Sequence, residues 1–404
     1  MPYDLLSGVK VVELSMYAFA PSAGAALADW GADVIKVVHP TIADPMRGAS
    51  IAGLPKKDVG VAFSWEQLNR GKRCVTVDVS TEPGHEIMRR LLKGADVFII
   101  NLLPAARARF KLDVEDVQAI CPNIVYARAS AHGDKGPERE RGGFDHTDFW
   151  ARTGFAHAAG MAVGDFVPQP GPAMGDAISG AFLAGGIAAA LYKRQQSGKG
   201  AVVDVSLLSS GLWAFGKSIV ASQLYDVPTV PRFPHLEQPN PLVAAYTTRD
   251  GRQIYLAGVQ TDKYFEEFAT LIGCPALAAD ERFRTGSARL KNARACIEAL
   301  DVAFAQHDLA TWKDRLASCP TPWSIVQTAA EAAHDPQVEA NGWLVEINKE
   351  SLRYSLVASP VQFDGVPTNL ECAPEHGEHT EMVLMDLGYS WDDISELKRL
   401  GAIC

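Results

Sequence analysis

Near its start the chain reads Val9-Lys10-Val11-Val12-Glu13-Leu14, a short and mostly apolar stretch that is typical of a buried strand. An alanine-rich helical pattern over 20–30 follows, and then a second such stretch, Asp33-Val34-Ile35-Lys36-Val37-Val38. Further strands are predicted at 74–79, 95–100, 124–127 and 202–205. Continuous apolar strands alternating with helices indicate a parallel sheet covered on both faces. We therefore predict an α/β fold with a doubly wound parallel sheet, whose ligands bind beyond the carboxyl ends of the strands.

The later part of the chain changes in composition. Residues 224–245 are rich in proline and aperiodic, which is typical of a linker. Asp250-Gly251 lies between two strand-like runs and predicts a hairpin. A chain of 404 residues is also long for a single core. We predict three blocks: a large α/β domain over 1–223, a smaller α+β domain with linkers over 224–324, and a further α/β segment over 325–404.

Composition excludes several classes of protein. Hydrophobic residues make up 47% and charged residues 21%, as in soluble globular proteins. A net charge of −10 disfavours nucleic acid as a partner. No apolar run approaches the length needed to cross a bilayer, and the first residues lack a secretory signal. The seven cysteines are scattered without C-x-x-C spacing, as in reduced cytosolic thiols. We predict a cytoplasmic protein with no metal, no nucleic-acid partner and no membrane partner.

One carboxylate stands at the head of a long small-residue helix, in Gly175-Asp176-Ala177-Ile178-Ser179-Gly180. The partial positive charge of a helix N-terminus favours the ionised form of an acid. An ionised, uncrowded carboxylate can attack an activated acyl group. Asp is also a favoured N-cap residue, and most such residues only satisfy a backbone N–H. The segment by itself leaves both roles open for Asp176.

The strand-to-helix turns lack the familiar nucleotide-binding motifs. The first turn, 15–21, has no G-x-G-x-x-G pattern, which disfavours NAD or FAD bound in the usual manner. Asn101-Leu102-Leu103-Pro104 directly follows a predicted strand. Basic residues follow it or precede another strand: Lys72, Arg73, Arg107, Arg109 and Lys111. Because guanidinium groups suit phosphate oxygens, the sequence permits either a phosphorylated ligand or a solvated basic face.

Two glycine-containing loops, His132–Pro137 and Gly142–Asp145, lie just before the Asp176 helix. Glycine allows the backbone to approach a ligand closely, so these loops either close over a ligand or lie on the surface. His376 and His379 form a close pair within a charged loop. A metal site needs further ligands, so this pair indicates a surface loop.

The order and spacing of several short segments resemble the class III CoA-transferases, also called the CaiB/BaiF family. The similarity covers nearly the whole chain. It is carried by Leu6–Leu14, Ala28–Val37, Asn69–Arg73, Ala95–Val97 with Asn101, Ser197–Gly200, Asp335–Val338 and Gly377–Thr380.

The resemblance implies a Rossmann-like large domain built from both ends of the chain, so that 325–404 returns to 1–223. It also implies an interlocked homodimer that moves CoA from an acyl-CoA to a free carboxylic acid. Asp176 is then the catalytic residue, forming a mixed anhydride and an aspartyl-CoA thioester. The implied CoA contacts are Ala18, Phe19, His39, Val77, Asp78, Val79, Ser80, Asn101, Leu102, Leu103, Arg109 and, more loosely, Phe144.

The chain departs from the family pattern at three places. Many members have glutamine where this chain has Ala18. The glycine-rich flap of formyl-CoA transferases is absent around 235–260, which disfavours oxalate or formate exchange. His39 stands where a basic residue contacts the CoA phosphate, so its charge would depend on pH.

Two alternative functions are weighed against CoA transfer. A 2-methylacyl-CoA racemase of the same superfamily needs a His in a Gly-His-Asp motif opposite the aspartate. Here the motif reads Gly143-Phe144-Asp145, and His146 lies two positions further on. Phenylalanine cannot exchange a proton, so racemisation is disfavoured. The other alternative is a non-catalytic acyl-CoA-binding protein, against which an intact Asp176 argues.

The residues near the predicted site indicate the kind of acyl group. Aromatic side chains are frequent there: Tyr17, Phe19, Phe144, Phe149 and Trp150. The segments around Phe144 and Phe149 also resemble the branch that handles 2-hydroxyacyl and arylacryloyl groups. We predict a medium-sized apolar or aromatic carboxylic acid as a substrate.

Overall fold

The structure is a computed structural model that describes residues 3–51, 53–55, 57–161, 163, 167–168, 170–259, 262–349 and 351–404. The chain divides into two compact units. The first comprises 1–155, 169–219 and 336–404, and the second comprises 156–168 and 220–335. The segment 156–168, which the sequence placed in the large domain, groups with the second unit. Composition marks irregular backbone, whereas packing defines a unit, so the two kinds of boundary differ.

A parallel sheet forms the centre of the first unit. Its strands are β1 (Lys10–Leu14), β2 (Asp33–Val38), β3 (Arg73–Thr76), β4 (Val97–Ile100), β5 (Val125–Ser130) and β6 (Ala201–Ser206). Their order is β3-β2-β1-β4-β5-β6, and every neighbouring pair is parallel. The α/β fold with a parallel sheet is thus confirmed. The chain reverses direction across the sheet between β1 and β4, and ligands bind beyond the strand ends at such a point.

Helices connect and cover these strands. Through the first half of the chain they are α1 (Phe19–Asp29), α2 (Phe63–Asn69), α3 (Glu82–Lys93), α4 (Pro104–Arg109), α5 (Val114–Ile120), α6 (Phe155–Met161), α7 (Met174–Ser197), α8 (Leu207–Ala214) and α9 (Gly216–Tyr225). The later helices are α10 (Phe265–Leu271), α11 (Ala276–Ala279), α12 (Gly286–Lys291), α13 (Ala293–Phe304), α14 (Leu309–Leu316), α15 (Ala329–Ala332), α16 (Pro336–Asn341), α17 (Thr380–Asp386) and α18 (Trp391–Arg399).

Two hydrophobic cores lie on the faces of the parallel sheet. One contains Ile35 and Phe98 from the strands and Val383 and Ile394 from α17 and α18, so the C-terminal segment packs on this face. The other contains side chains of α1 and α7 packed on β1, β4 and β5. Because both faces are covered, the strands are apolar throughout.

Helix α7 has the length and apolar composition of a membrane-spanning helix. The expectation that no run approaches that length is therefore wrong. In the fold this helix belongs to the core, where Leu183 and Ile187 are fully buried. It approaches α1 closely at Gly180, where a Cβ atom would lie 1.8 Å from the Ser22 hydroxyl oxygen. Glycine at this position thus allows the two helices to touch.

A buried ion cluster connects β1, β2 and the segment before β3. Glu13 accepts from Lys36 at 2.9 Å and pairs with Lys72 at 2.8 Å, and all three side chains are fully buried. Burial alone would raise the pKa of Glu13, but Lys36 and Lys72 outweigh it and lower that pKa to about 2. Lys72 is therefore committed to the core, and Arg73 pairs with Asp33. Neither residue supplies the basic phosphate site that the sequence permitted.

Small antiparallel sheets complete the fold. In the second unit, β7 (Ala245–Thr247), β8 (Gln253–Leu256) and β9 (Trp323–Ile325) form one of them. The turn between β7 and β8 contains Asp250-Gly251, which confirms the predicted hairpin. In the first unit, β10 (Leu344–Lys349) pairs with β11 (Leu352–Val357).

Candidate active site

A cavity of about 410 Å³ lies at the carboxyl ends of β1, β4 and β5. This position is next to the reversal of strand order between β1 and β4, where an α/β sheet binds its ligand. The lining includes Tyr17, Phe19, Asn101, His132, Phe144 and Asp176. The cavity therefore brings the end of the predicted catalytic helix to the predicted ligand edge of the sheet.

Asp176 lies within the first turn of α7 and is not its cap. The N-cap is Ala173, whose backbone is left-handed with φ 59°. The N-cap side chain makes no hydrogen bond to the turn. The helix-cap interpretation of Asp176 is therefore wrong. Its half-buried side chain lines the cavity, where a substrate could reach it.

A second carboxylate, Asp145, connects a neighbouring turn to this helix. Asp145 is buried at the start of a π-helical turn (Asp145–Ala151), and its Oδ2 accepts a hydrogen bond from the Gly175 N–H at 3.1 Å. Only glycine fits at 175, because a Cβ there would lie 2.3 Å from Phe149 Cγ and 2.5 Å from Asp145 Oδ1. The glycine before Asp176 thus allows this close approach of Asp145.

The two carboxylates change each other's ionisation. Burial, followed by the negative charge of Asp145, raises the pKa of Asp176 to about 7. Burial also raises the pKa of Asp145, although the Gly175 N–H opposes that shift. The expectation that the helix start favours ionised Asp176 is therefore not met, because burial and a like charge outweigh the helix terminus. A carboxylate with a raised pKa is a stronger nucleophile once it is ionised.

Two aromatic side chains form the rim of the cavity beside Asp176. The rings of Tyr17 and Phe144, hereafter the aromatic rim, meet edge to face with their centroids 5.3 Å apart. Tyr17 has a left-handed backbone with φ 68°, a strained conformation for this residue type. Asn101 holds the adjoining residue, donating from Nδ2 to the Met16 carbonyl at 2.7 Å and accepting from the Met16 N–H at 3.1 Å.

The predicted CoA contacts divide into those in the cavity and those elsewhere. Five of them line the cavity: Phe19, Asn101, Leu102, Leu103 and Phe144. His39, Asp78 and Ser80 lie together at the ends of β2 and β3. The His39 Nε2 atom is 3.7 Å from Asp78 Oδ2, and Ser80 Oγ donates to Asp78 Oδ1 at 2.6 Å.

The remaining predicted contacts do not present side chains to the cavity. Ala18 is the buried N-cap of α1, and Val77 and Val79 are buried in a core of the sheet. Arg109 is exposed and lies over the Phe110 ring at 4.4 Å. Any CoA contact at Val77 or Val79 would therefore use the backbone. The full set of CoA contacts stays a prediction.

Sequence reasoning missed two polar residues of the cavity. Arg107 lines it and pairs with Asp134 at 2.6 Å, whereas the prediction named Arg109. His132 lines it from the loop that follows β5, a segment considered only as a covering loop. The available signal was position, because both residues follow a predicted strand closely at the carboxyl edge of the sheet.

Comparison with known proteins defines the class to which this fold and site belong. Residues 6–380 match the family model described as CoA-transferase family III. The chain belongs to this family, and the protein is a class III CoA-transferase. Its substrates are accordingly acyl-CoA donors and carboxylic acid acceptors.

Individual relatives align over almost their whole lengths. The chain is 32% identical over 405 residues to the cinnamoyl-CoA:phenyllactate CoA-transferase of Clostridium sporogenes, covering 98% of this chain and 96% of that one. It is 31% identical over 400 residues to the (R)-2-hydroxy-4-methylpentanoate CoA-transferase of Clostridioides difficile, covering 98% of each. The crystal structure of a CaiB/BaiF family protein from Brucella suis matches with a TM-score of 0.82 at 30% identity, covering 95% of this chain and 99% of that one.

Proposed function

We propose that this enzyme transfers CoA to a medium-sized apolar or aromatic carboxylic acid through covalent intermediates on Asp176. The observation that carries the proposal is the half-buried Asp176 carboxylate in a cavity whose rim is made of Tyr17 and Phe144. An aromatic rim contacts an apolar acyl group over a large area. The names of two relatives, which contain phenyllactate and 2-hydroxy-4-methylpentanoate, are consistent with such acids.

The proposed reaction begins with attack on the donor thioester. An Asp176 carboxylate oxygen attacks the acyl carbonyl, the carbon–sulfur bond breaks, and a mixed anhydride and the CoA thiolate result. The thiolate then attacks the Asp176 carbonyl of the anhydride. This step forms an aspartyl-CoA thioester and releases the donor as a free carboxylate. The thioester bond is thus preserved on the enzyme.

The acceptor then runs the same steps in reverse. Its carboxylate attacks the aspartyl-CoA thioester, which gives a new mixed anhydride and the CoA thiolate. The thiolate attacks the acceptor acyl carbonyl, and the new acyl-CoA leaves with the Asp176 carboxylate regenerated. Backbone N–H groups at the start of α7 can stabilise the oxyanions, and exclusion of water protects the anhydride from hydrolysis.

Substitution of the nucleophile tests the proposal. We expect Asp176→Ala to lower kcat for CoA exchange by at least about 1000-fold while the protein stays folded. Glu82→Gln is the matched control, because Glu82 is an exposed acid in the first turn of α3. Screening free acids against succinyl-CoA and acetyl-CoA by mass spectrometry identifies the acceptor. Hydroxylamine treatment during turnover should convert Asp176 to its hydroxamate; undiminished exchange in the alanine variant would exclude this mechanism.

We further propose that the enzyme is an interlocked homodimer. Helix α9 has no buried residue, and it exposes Val220, Leu224 and Tyr225. Trp213 on α8 is 77% exposed. Large apolar surfaces of this kind mark sites of protein association. The family resemblance supplies the interlocked arrangement, and the exposed helices supply the surface for it.

A further inference from the structure

A histidine and an aspartate form a nearly buried pair in the wall of the active-site cavity. His132 follows β5, and Asp148 belongs to the π-helical turn. The His132 Nδ1 and Asp148 Oδ1 atoms are 2.8 Å apart, and the side chains are 7% and 3% exposed. The loop opposite is shaped for this pair, because a Cβ at Gly143 would lie 1.9 Å from Asp148 Oδ2.

The contacts of the pair determine where the imidazole carries its proton. A ring nitrogen 2.8 Å from a carboxylate oxygen must donate, because two lone pairs would repel each other at that distance. Asp148 Oδ2 accepts from Thr147 Oγ1 at 2.7 Å, which orients the carboxylate. Arg152 is the other charged neighbour, with its Nη1 3.2 Å from His132 Nδ1. Neutral His132 therefore has its proton on Nδ1 and a lone pair on Nε2.

The Nε2 atom is the unusual part of the pair. It is buried, and it has no hydrogen-bond partner among the residues that the structure describes. Its side chain lines the same cavity as Asp176 and the aromatic rim. A buried polar atom without a partner is rare in a folded protein, and one beside a ligand cavity is expected to find its partner in the ligand.

We propose that His132 Nε2 accepts a hydrogen bond from a hydroxyl group on the acyl chain of the substrate, and that the enzyme thereby selects hydroxy acids. Asp148 is the positioning residue that holds the ring in this tautomer. The inference rests on the proposed function, because the acyl group must occupy the cavity beside Asp176. A second carboxylate, as in a dicarboxylic acid, offers only lone pairs and makes no such bond.

Matched pairs of acids test this selectivity. The pairs are 2-hydroxy-3-phenylpropanoate with 3-phenylpropanoate, and 2-hydroxy-4-methylpentanoate with 4-methylpentanoate, each with acetyl-CoA and succinyl-CoA as donors. For the wild type we expect kcat/KM to favour the hydroxy acid by at least about 100-fold, because a site built for a hydroxyl rejects the analogue that lacks it.

His132→Asn is the informative variant. The asparagine Nδ2 keeps a donor for Asp148, but the side chain has no atom at the Nε2 position. We expect the preference to fall to within about 3-fold, with kcat/KM for the deoxy acid changed by less than about 3-fold. His132→Gln, whose amide oxygen lies near the Nε2 position, should restore part of the preference.

Several results would overturn the inference. A wild-type preference near one does so without any variant, and so does a preference that persists in His132→Asn. Deuterium incorporation at the α-carbon of the acyl-CoA that disappears in His132→Asn would instead assign the residue to proton transfer. Absence of wild-type exchange with every acid would reject the proposed function itself, whereas exchange without hydroxyl selectivity rejects only the role of His132.

Discussion

At the scale of single residues, the chemistry depends on two carboxylates that could not be paired from the sequence. Asp145 and Asp176 lie on different elements, and the hydrogen bond from the Gly175 N–H to Asp145 links them. Burial and the charge of Asp145 raise the pKa of Asp176 to about 7. Because only ionised Asp176 can attack a thioester, we expect kcat/KM to rise with pH through this value.

Asp145→Asn tests the coupling between the two carboxylates. The variant keeps an oxygen that accepts from Gly175 but removes the negative charge, so the pKa of Asp176 should fall. The acidic limb of the kcat/KM profile should then move to lower pH, by roughly one unit, since burial still raises the pKa. A profile measured between pH 5 and 9 checks this. An acidic limb at the same pH in both proteins would show that Asp145 does not influence the nucleophile.

At the scale of elements, the position of the nucleophile depends on the contact between α1 and α7. Ser22 Oγ donates to the Phe19 carbonyl at 2.7 Å, and it lies 3.4 Å from the Asp176 carbonyl oxygen. Gly180 makes room for this hydroxyl. The helix that carries Asp176 is thus held against the turn that carries Tyr17 and Phe19.

Gly180→Ala should weaken this helix contact. The added methyl group would overlap Ser22 Oγ and lie 2.9 Å from the Phe19 carbonyl oxygen, and we expect a loss of about 1–3 kcal/mol in the free energy of unfolding. Gly185→Ala in the same helix is the matched control, because no described atom lies within 4 Å of its Cβ position. That control should gain about 0.5–1 kcal/mol from helix propensity. Chemical denaturation measures both values, and equal effects would contradict the packing account.

At the scale of the whole molecule, the exposed apolar side chains of α8 and α9 are the feature that one chain leaves unexplained. Trp213 is 77% exposed and Leu224 78% exposed. A subunit with this surface is expected to associate, because contiguous exposed apolar patches are uncommon on monomers. The same association would help to exclude water from the covalent intermediates.

Light scattering after size-exclusion chromatography tests the proposed homodimer. We expect the mass of two chains over a wide range of protein concentration, since interlocked subunits cannot separate without partial unfolding. Trp213→Ser combined with Leu224→Ser should reduce the stability or the recovery of this species by removing buried apolar area. A mass of one chain at every concentration would reject the dimer.

Local pattern was sufficient for much of the fold and for the identity of the nucleophile. The apolar strands indicated a parallel sheet because their side chains must be buried on both faces, and Thr81 marked the start of α3. The strand predicted over 74–79 ends at Thr76, since the end of a strand depends on its neighbour. The membrane expectation was wrong at α7 because a core helix of this length has the composition of a spanning one.

By itself the amino-acid sequence determined the α/β class, the order of its parallel strands' segments along the chain, and Asp176 as the candidate nucleophile. Each of these follows from short-range pattern or from the resemblance of ordered segments. Only the tertiary structure decided that Asp145 lies against Gly175, that Lys72 is buried with Glu13, and that His132 lines the cavity. These facts depend on residues far apart in the chain, whose proximity is set by how helices and strands pack together.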